Sequence, residues 1–221
     1  MDLPLKSNCE IETFLLNHYG MEFISIENIQ PNGLSCTREA LPIQLQEKVG
    51  AFAWSDRVRY WHPAQNLLGR KKGARAVDSI MVAIQRSCGV NRFDDFDGWL
   101  AKGANWFSIT HELAAYVVGS TSEILQRFGS SRCADELFLQ TLIVNSPFVD
   151  RLYFGEPEGV PASLRHIDWK RGRPYIFRES DFNELTNSPA LFARKFDAGL
   201  YPNAVDELCN WVASKNGTTI S

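Results

Sequence analysis

One segment limits the possible folds of this chain more than any other: a pair of adjacent acids that leads into a mostly apolar run. Asp135 and Glu136 precede residues 137–144, and an Asn-Ser-Pro sequence ends the run. The spacing predicts a buried helix from about Ala134 to Asn145. A carboxylate fixed at the start of such a helix is well placed to take a proton from a substrate hydroxyl. Acids in a first helical turn also offset the helix macrodipole, and the pair alone favours that structural role.

Strand-like and helix-like patterns alternate along the rest of the chain, which predicts an α/β fold. The strand-like segments are 22–26, 57–61, 106–109 and 164–169. Helices are predicted over 11–17, 40–49, 76–86 and 204–214, with Ser7 or Asn8 capping the first and Thr110 capping a further one. No repeat or low-complexity linker interrupts the 221 residues, so we expect a single domain over 1–221.

Composition argues against several classes of protein. The net charge of −3 gives no electrostatic reason to expect nucleic acid as a partner. The five cysteines are scattered without a CxxC pair, which favours a reducing compartment over a disulfide framework. No apolar window has the length of a membrane span, and the first residues lack the apolar core of a signal peptide. We therefore expect a cytoplasmic chain with no transmembrane segment.

Two polar segments are candidates for phosphate or metal chemistry. Asp95 and Asp97 form an Asp-x-Asp pair that would hold Mg²⁺ or Mn²⁺ in a metal-dependent transferase, although the polar run around them favours a solvated loop. Gly69 to Arg75 has four basic residues in seven and would contact phosphates or form a solvated face. The four histidines lack zinc-site spacing, which argues against a zinc site. No GxSxG or P-loop motif occurs, which argues against the usual hydrolase elbow and against P-loop nucleotide hydrolysis.

A group of cations near the C-terminus lies among aromatic residues. Fixed cations of this kind can neutralise a departing diphosphate without a metal ion, although such side chains are also common on protein surfaces. The cations are Arg171, Arg173, Arg178, Arg194 and Lys195.

Five segments, taken in order, resemble one family. The family is that of the core-2/I-branching N-acetylglucosaminyltransferases, which share glycosyltransferase family 14 with the protein O-xylosyltransferases. The resembling segments are Asp2–Asn8, Gly103–Thr110, Ala134–Phe148, Leu164–Trp169 and Ala190–Asp197. They span nearly the whole chain in the family's order.

The resemblance implies an inverting, metal-independent transfer of N-acetylglucosamine or xylose from a UDP-sugar to a hydroxyl of a glycan or a protein, for example in polysaccharide biosynthesis. It implies no metal site and no cofactor, since the UDP-sugar is the donor substrate. It implies that Glu136 is the general base and that Lys195 binds the donor diphosphate. The family's second basic residue falls on Gly172, between Arg171 and Arg173, and either arginine would serve. Trp169 matches an aromatic position against the acceptor, and Trp106 is a further candidate for stacking on a sugar.

The resemblance also implies a GT-A-like fold that lacks its first strand-helix-strand units. In the family, about 60 residues or more that cradle uridine precede the segment that resembles Asp2–Ser7. We therefore expect the C-terminal two thirds of a family domain, whose anchored relatives would be membrane-bound. Two alternatives stay open: a truncated, non-catalytic remnant that binds carbohydrate or protein, and a metal-dependent transferase that uses Asp95 and Asp97.

Overall fold

The structure is a computed structural model that describes residues 1–63, 73–155 and 157–217, apart from the side chain of Arg75. The chain divides into two compact units. The terminal unit is Met1–Phe23 with Tyr153–Ser221, and the central unit is Ile24–Leu152. Both combine helices with small sheets, so the mixed α/β class is confirmed at this level. A single domain over 1–221 stays a prediction.

The described helices are α1 (Asn8–Asn17), α2 (Ile43–Gln46), α3 (Asp56–Arg59), α4 (Ala74–Ser87), α5 (His111–Gly119), α6 (Thr121–Phe128), α7 (Phe138–Val144), α8 (Phe182–Thr186) and α9 (Pro202–Lys215). The described strands are β1 (Asp2–Pro4), β2 (Phe23–Ile24), β3 (Asn28–Asn32), β4 (Gly98–Lys102), β5 (Phe107–Ser108), β6 (Arg165–Ile167) and β7 (Phe192–Arg194). Short 3₁₀ turns cover Arg38–Ala40, Ala53–Ser55, Ala134–Glu136, Pro147–Arg151 and Glu179–Asp181. The elements predicted over 40–49, 106–109 and 164–169 are present but shorter, as α2, β5 and β6.

The terminal unit is built on a three-stranded sheet in the order β1-β7-β6. β1 runs antiparallel to β7, with Leu3 opposite Ala193, whereas β6 runs parallel to β7. Apolar side chains fill the core beside this sheet. Two of them, Phe177 and Phe196, are almost fully removed from solvent. The parallel pair places the carboxyl ends of β6 and β7 at one edge of the sheet.

Local capping chemistry places the ends of two helices where the sequence predicts them. The Ser7 hydroxyl accepts a hydrogen bond from the Glu10 amide at 3.2 Å, and the Glu10 carboxylate accepts one from the Ser7 amide at 2.8 Å. This reciprocal capping box begins α1. Thr110 caps α5 by accepting a hydrogen bond from the Leu113 amide at 3.2 Å. Both predicted caps are confirmed.

The central unit pairs β3 with β4 in an antiparallel ribbon, and side chains of α7 occupy the other edge of β4. The Thr141 hydroxyl accepts from the Ala101 amide at 3.0 Å and donates to its carbonyl oxygen at 3.2 Å. The Asn145 side chain bonds the Trp99 amide and carbonyl in the same way, at 2.8 and 2.7 Å. Because these side chains replace a neighbouring strand, the free edge of β4 is satisfied.

The strand predicted over 57–61 is wrong, because α3 covers Asp56–Arg59. The 3₁₀ turn at Ala53–Ser55 leads directly into α3, and the Tyr60 amide donates to the carbonyl oxygen of Asp56. Val58 and Tyr60 are buried while Arg57 is partly exposed, so burial alternates as in a strand. A short helical segment can produce the same alternation, and the pattern therefore did not distinguish the two.

The helix predicted over 134–145 divides into two elements. Ala134–Glu136 is a 3₁₀ turn that follows Cys133, which has a left-handed φ of 52°, and α7 begins at Phe138. Leu137 between them is fully buried in an apolar cluster with Val58 and Leu100. Glu136 is therefore not in the first turn of an α-helix, and the macrodipole does not explain its placement.

Candidate functional site

The candidate base lies on a turn that two long-range contacts fix. Burial of Leu137 anchors the turn on its C-terminal side. The amide of Gly103, which follows β4, donates to the carbonyl oxygen of Glu136 at 3.0 Å. The Glu136 side chain keeps 37% of its surface exposed. The backbone of Glu136 is thus held from inside the central unit while its carboxylate reaches solvent.

Two cations bind one oxygen of that carboxylate. Arg57 donates from Nη1 to Oε2 of Glu136 at 2.9 Å, and Nζ of Lys102 lies 3.8 Å from the same oxygen. Within the described part of the chain, no hydrogen bond or ion pair reaches Oε1 of Glu136. The carboxylate therefore has one oxygen fixed by charge and one available to a substrate hydroxyl.

The neighbouring acid has a different role. The Asp135 carboxylate accepts a hydrogen bond from the Asn105 side chain at 2.9 Å, which ties the turn to the loop after β4. Trp106 follows Asn105 and is half-buried. The sequence-predicted residues Glu136 and Trp106 are thus both attached to this one loop and turn of the central unit.

The other predicted site residues come together in the terminal unit, at the carboxyl ends of β6 and β7. Residues 168–173 follow β6, and Lys195 follows β7. The Tyr175 amide donates to the carbonyl oxygen of Asp168 at 2.9 Å, and the Lys195 amide donates to that of Tyr175 at 3.4 Å. The edge of a parallel pair beyond its carboxyl ends is where open α/β sheets bind ligands.

Arg171 is committed to structural contacts at this edge. Its guanidinium pairs with Asp168, with Asp181 at 2.7 Å and with Glu184 at 2.7 Å, and it lies 4.3 Å from the ring centre of Tyr175. The hydrogen bond from Arg171 lowers the pKa of Asp168 to about 2, and the bond to Asp168 raises the pKa of Arg171. A diphosphate would have to compete with three carboxylates for this guanidinium.

Arg173 and Lys195 differ from Arg171 in their ion pairing. Among the described residues, no carboxylate forms an ion pair with either side chain. Arg173 is exposed, Lys195 is partly exposed, and Trp169 keeps 57% of its surface exposed. The terminal unit therefore presents two cations and an aromatic face on one edge of its sheet.

The acids of the Asp-x-Asp pair have protein partners instead of a shared site. Asp95 pairs with Arg127 at 3.2 Å, and Asp97 accepts hydrogen bonds from the amide and hydroxyl of Ser35 at 3.1 and 2.8 Å. In the described ranges, no group of three or more His, Cys, Asp or Glu side chains is arranged to hold a metal. Residues 69–72 of the basic segment and the side chain of Arg75 lie outside the described residues.

Two histidines form hydrogen-bonded rows that no sequence motif predicts. His62 contacts Asp78 through Nδ1 at 2.6 Å and the Asp56 carbonyl through Nε2 at 3.1 Å, which joins α3 to α4. His166 lies between the Ser188 hydroxyl at 3.2 Å and Glu184 at 2.9 Å. His62, Asp78 and Ser188 are buried. Each row links elements within one unit.

The residues that act on Glu136 were also missed. Arg57 falls in the segment predicted as a strand, and Lys102 belongs to no motif. No local sequence signal identifies either one, since 79 residues separate Arg57 from Glu136.

No protein-family model matches the chain, and no curated protein is significantly similar to it. None of the described helices is long and apolar enough to cross a membrane. Two sets of residues, each within its own unit, are therefore the candidates for function: Glu136 with Trp106, and Arg173 and Lys195 with Trp169.

Proposed function

We propose that this chain is an inverting glycosyltransferase that moves N-acetylglucosamine or xylose from a UDP-sugar to an acceptor hydroxyl, on a GT-A-like fold and without an obligatory metal. The observation that carries the proposal is the edge of the terminal sheet, where Arg173 and Lys195 lie without carboxylate partners among the described residues, next to exposed Trp169. This combination suits a nucleotide-sugar, which brings two phosphates and a pyranose ring.

The residues divide the chemistry between them. Oε1 of Glu136 takes the proton of the acceptor hydroxyl while that oxygen attacks the anomeric carbon. The bond from the anomeric carbon to the diphosphate oxygen breaks, and the negative charge moves to departing UDP. Arg173 and Lys195 stabilise that charge as it develops. Because attack and departure occur on opposite faces, the configuration at the anomeric carbon inverts.

Aromatic surfaces supply the remaining contacts. Trp169 offers an exposed indole face for stacking on a sugar ring, and Trp106 offers a half-buried one. Arg171 supports the donor edge indirectly, because it holds Asp168 and Asp181 in place. The proposal thus assigns Arg173 and Lys195 to the diphosphate.

Two measurements on the full chain test the proposal. UDP titrated by calorimetry is expected to show saturable binding, and UDP-N-acetylglucosamine or UDP-xylose is expected to release UDP. Glu136→Gln should retain UDP binding and should lower the turnover about 100-fold or more. Asp135→Asn is the matched control, because an amide oxygen can still accept from Asn105.

The outcomes separate the rival interpretations. Full turnover in Glu136→Gln would remove that residue from the role of base. Failure of UDP to bind would favour the truncated, non-catalytic remnant that binds carbohydrate or protein. Loss of turnover in EDTA, together with its loss in Asp97→Asn, would favour the metal-dependent alternative.

A further inference from the structure

We infer that Arg57 is a positioning residue for Glu136: it binds Oε2 and thereby leaves Oε1 directed at the acceptor hydroxyl. This inference rests on the proposed function, because it assigns a role in the same reaction. It concerns a residue that the resemblance did not identify.

Arg57 is joined to the turn of Glu136 through both its backbone and its side chain. The carbonyl oxygen of Arg57 accepts a hydrogen bond from the Arg132 amide at 3.0 Å, near the start of that turn. Its guanidinium donates to Oε2 of Glu136 at 2.9 Å, at the end of the turn. Val58, the next residue of α3, is buried, so the helix that carries Arg57 is fixed to the core. The two contacts place Arg57 at a set position relative to the carboxylate.

Lys102 makes a weaker contribution to the same oxygen. Its ammonium lies 3.0 Å from the Glu27 carboxylate but 3.8 Å from Oε2 of Glu136. Lys102 is therefore mainly the partner of Glu27, and Arg57 is the principal partner of Glu136. The charged groups that face Glu136 are Arg57 from α3, Lys102 and Glu27 from the β3–β4 side, and Asp135 from its own turn.

A carboxylate that acts as a base gains from being held. A glutamate on an exposed turn samples several rotamers, and few of them direct an oxygen at a bound hydroxyl. The guanidinium selects one arrangement, because it donates a hydrogen bond to one oxygen of the carboxylate. Removal of Arg57 should therefore lower the rate of proton transfer, because the carboxylate then samples rotamers that direct no oxygen at the hydroxyl.

The side-chain rotamer of Glu136 in the full chain tests this without an activity assay. Three-bond NMR couplings across the Cα–Cβ bond of Glu136, assigned by their absence in Glu136→Gln, are measured in wild type, Arg57→Met and Arg57→Lys. Wild type should give the couplings of a single χ1 rotamer, Arg57→Met should give rotamer-averaged values, and Arg57→Lys should give values between the two. Arg132→Met is the matched control, because it removes a neighbouring positive charge while the Arg132 amide still bonds Arg57.

Equal couplings in wild type and Arg57→Met would overturn the inference. Rotamer-averaged couplings in Arg132→Met would also overturn it, because the effect would then not be specific to Arg57. If Arg57→Met does not fold, Arg57→Lys keeps the test decisive, since a lysine does not reproduce the planar donor geometry of arginine.

UDP release from UDP-N-acetylglucosamine separates this inference from the proposed function. Arg57→Met should lower kcat by about 10- to 100-fold and leave KM for the donor unchanged. If Glu136→Gln is fully active, the proposed function fails, whatever the side-chain couplings show. If Glu136→Gln is inactive and Arg57→Met keeps the wild-type kcat, Arg57 has no positioning role.

Discussion

The amide of Gly103 donates a hydrogen bond of 3.0 Å to the carbonyl oxygen of Glu136, so the end of β4 is joined to the turn that carries the candidate base. The contact requires glycine at this position. A Cβ atom on residue 103 would lie 1.8 Å from the carbonyl oxygen of Ser25, well inside van der Waals contact. The placement of Glu136 thus depends on close packing of backbone around Gly103.

We expect Gly103→Ala to lower the free energy of unfolding by about 3 kcal/mol, because the backbone must move to accept the methyl group. UDP release should fall with it, since the turn shifts. Urea denaturation measures the change. Gly119→Ala is the control, because nothing lies within 4 Å of a Cβ at that helical position. Equal stability of the two variants would contradict the close approach.

We expect Thr141→Val to destabilise the central unit by about 1 to 3 kcal/mol. Valine matches the shape of threonine but leaves the amide and carbonyl of Ala101 buried without their partner. Urea denaturation of the variant against wild type measures the loss. Thr121→Val makes the same chemical change on an exposed residue and should alter stability by less than about 0.5 kcal/mol. A wild-type midpoint for Thr141→Val would show that α7 does not satisfy the edge of β4.

Donor binding should distinguish Lys195 from Arg171. We expect Lys195→Met to weaken UDP binding about tenfold or more and to leave the thermal midpoint nearly unchanged, since the described residues give Lys195 no carboxylate partner. Arg171→Met should instead lower the thermal midpoint, because it leaves buried Asp181 without its cation. Calorimetry with UDP and thermal denaturation of both variants measure the difference. The reverse pattern would move the donor role to Arg171.

The capping box of α1 should contribute to acid sensitivity. Hydrogen bonds from Ser7 and the nearby Lys215 ammonium lower the pKa of Glu10 from 4.5 to about 2. Because the folded-state pKa is the lower one, this stabilisation is complete above pH 4.5 and is lost as the pH falls towards about 2. Glu10→Gln should therefore show a shallower loss of stability in that window.

Urea denaturation at a series of pH values checks the acid dependence. Glu12→Gln is the control on the same helix, because no ion pair of Glu12 occurs among the described residues. Matching pH profiles for wild type and Glu10→Gln would show that the capping box is not the source of the dependence.

Features that depend on contacts between neighbouring residues could be predicted from the sequence alone. The Ser7 cap needs only Glu10, three residues on, and the Thr110 cap needs only Leu113. Such contacts form within one turn, so the order of residue types is sufficient to predict them. The spacing of apolar residues likewise predicted α4 from the sequence, although one of these apolar residues, Ile80, is exposed instead of packed.

The surroundings of the candidate base, in contrast, follow from long-range packing. Arg57 reaches Glu136 across 79 residues, and Gly103 fixes the same turn from the end of β4. Burial of Leu137 then replaces the predicted helix start with a 3₁₀ turn. These contacts depend on how β3, β4 and α3 pack together. Short-range propensity carries no information on that packing, because the free energy of packing comes from contacts between residues far apart in the chain.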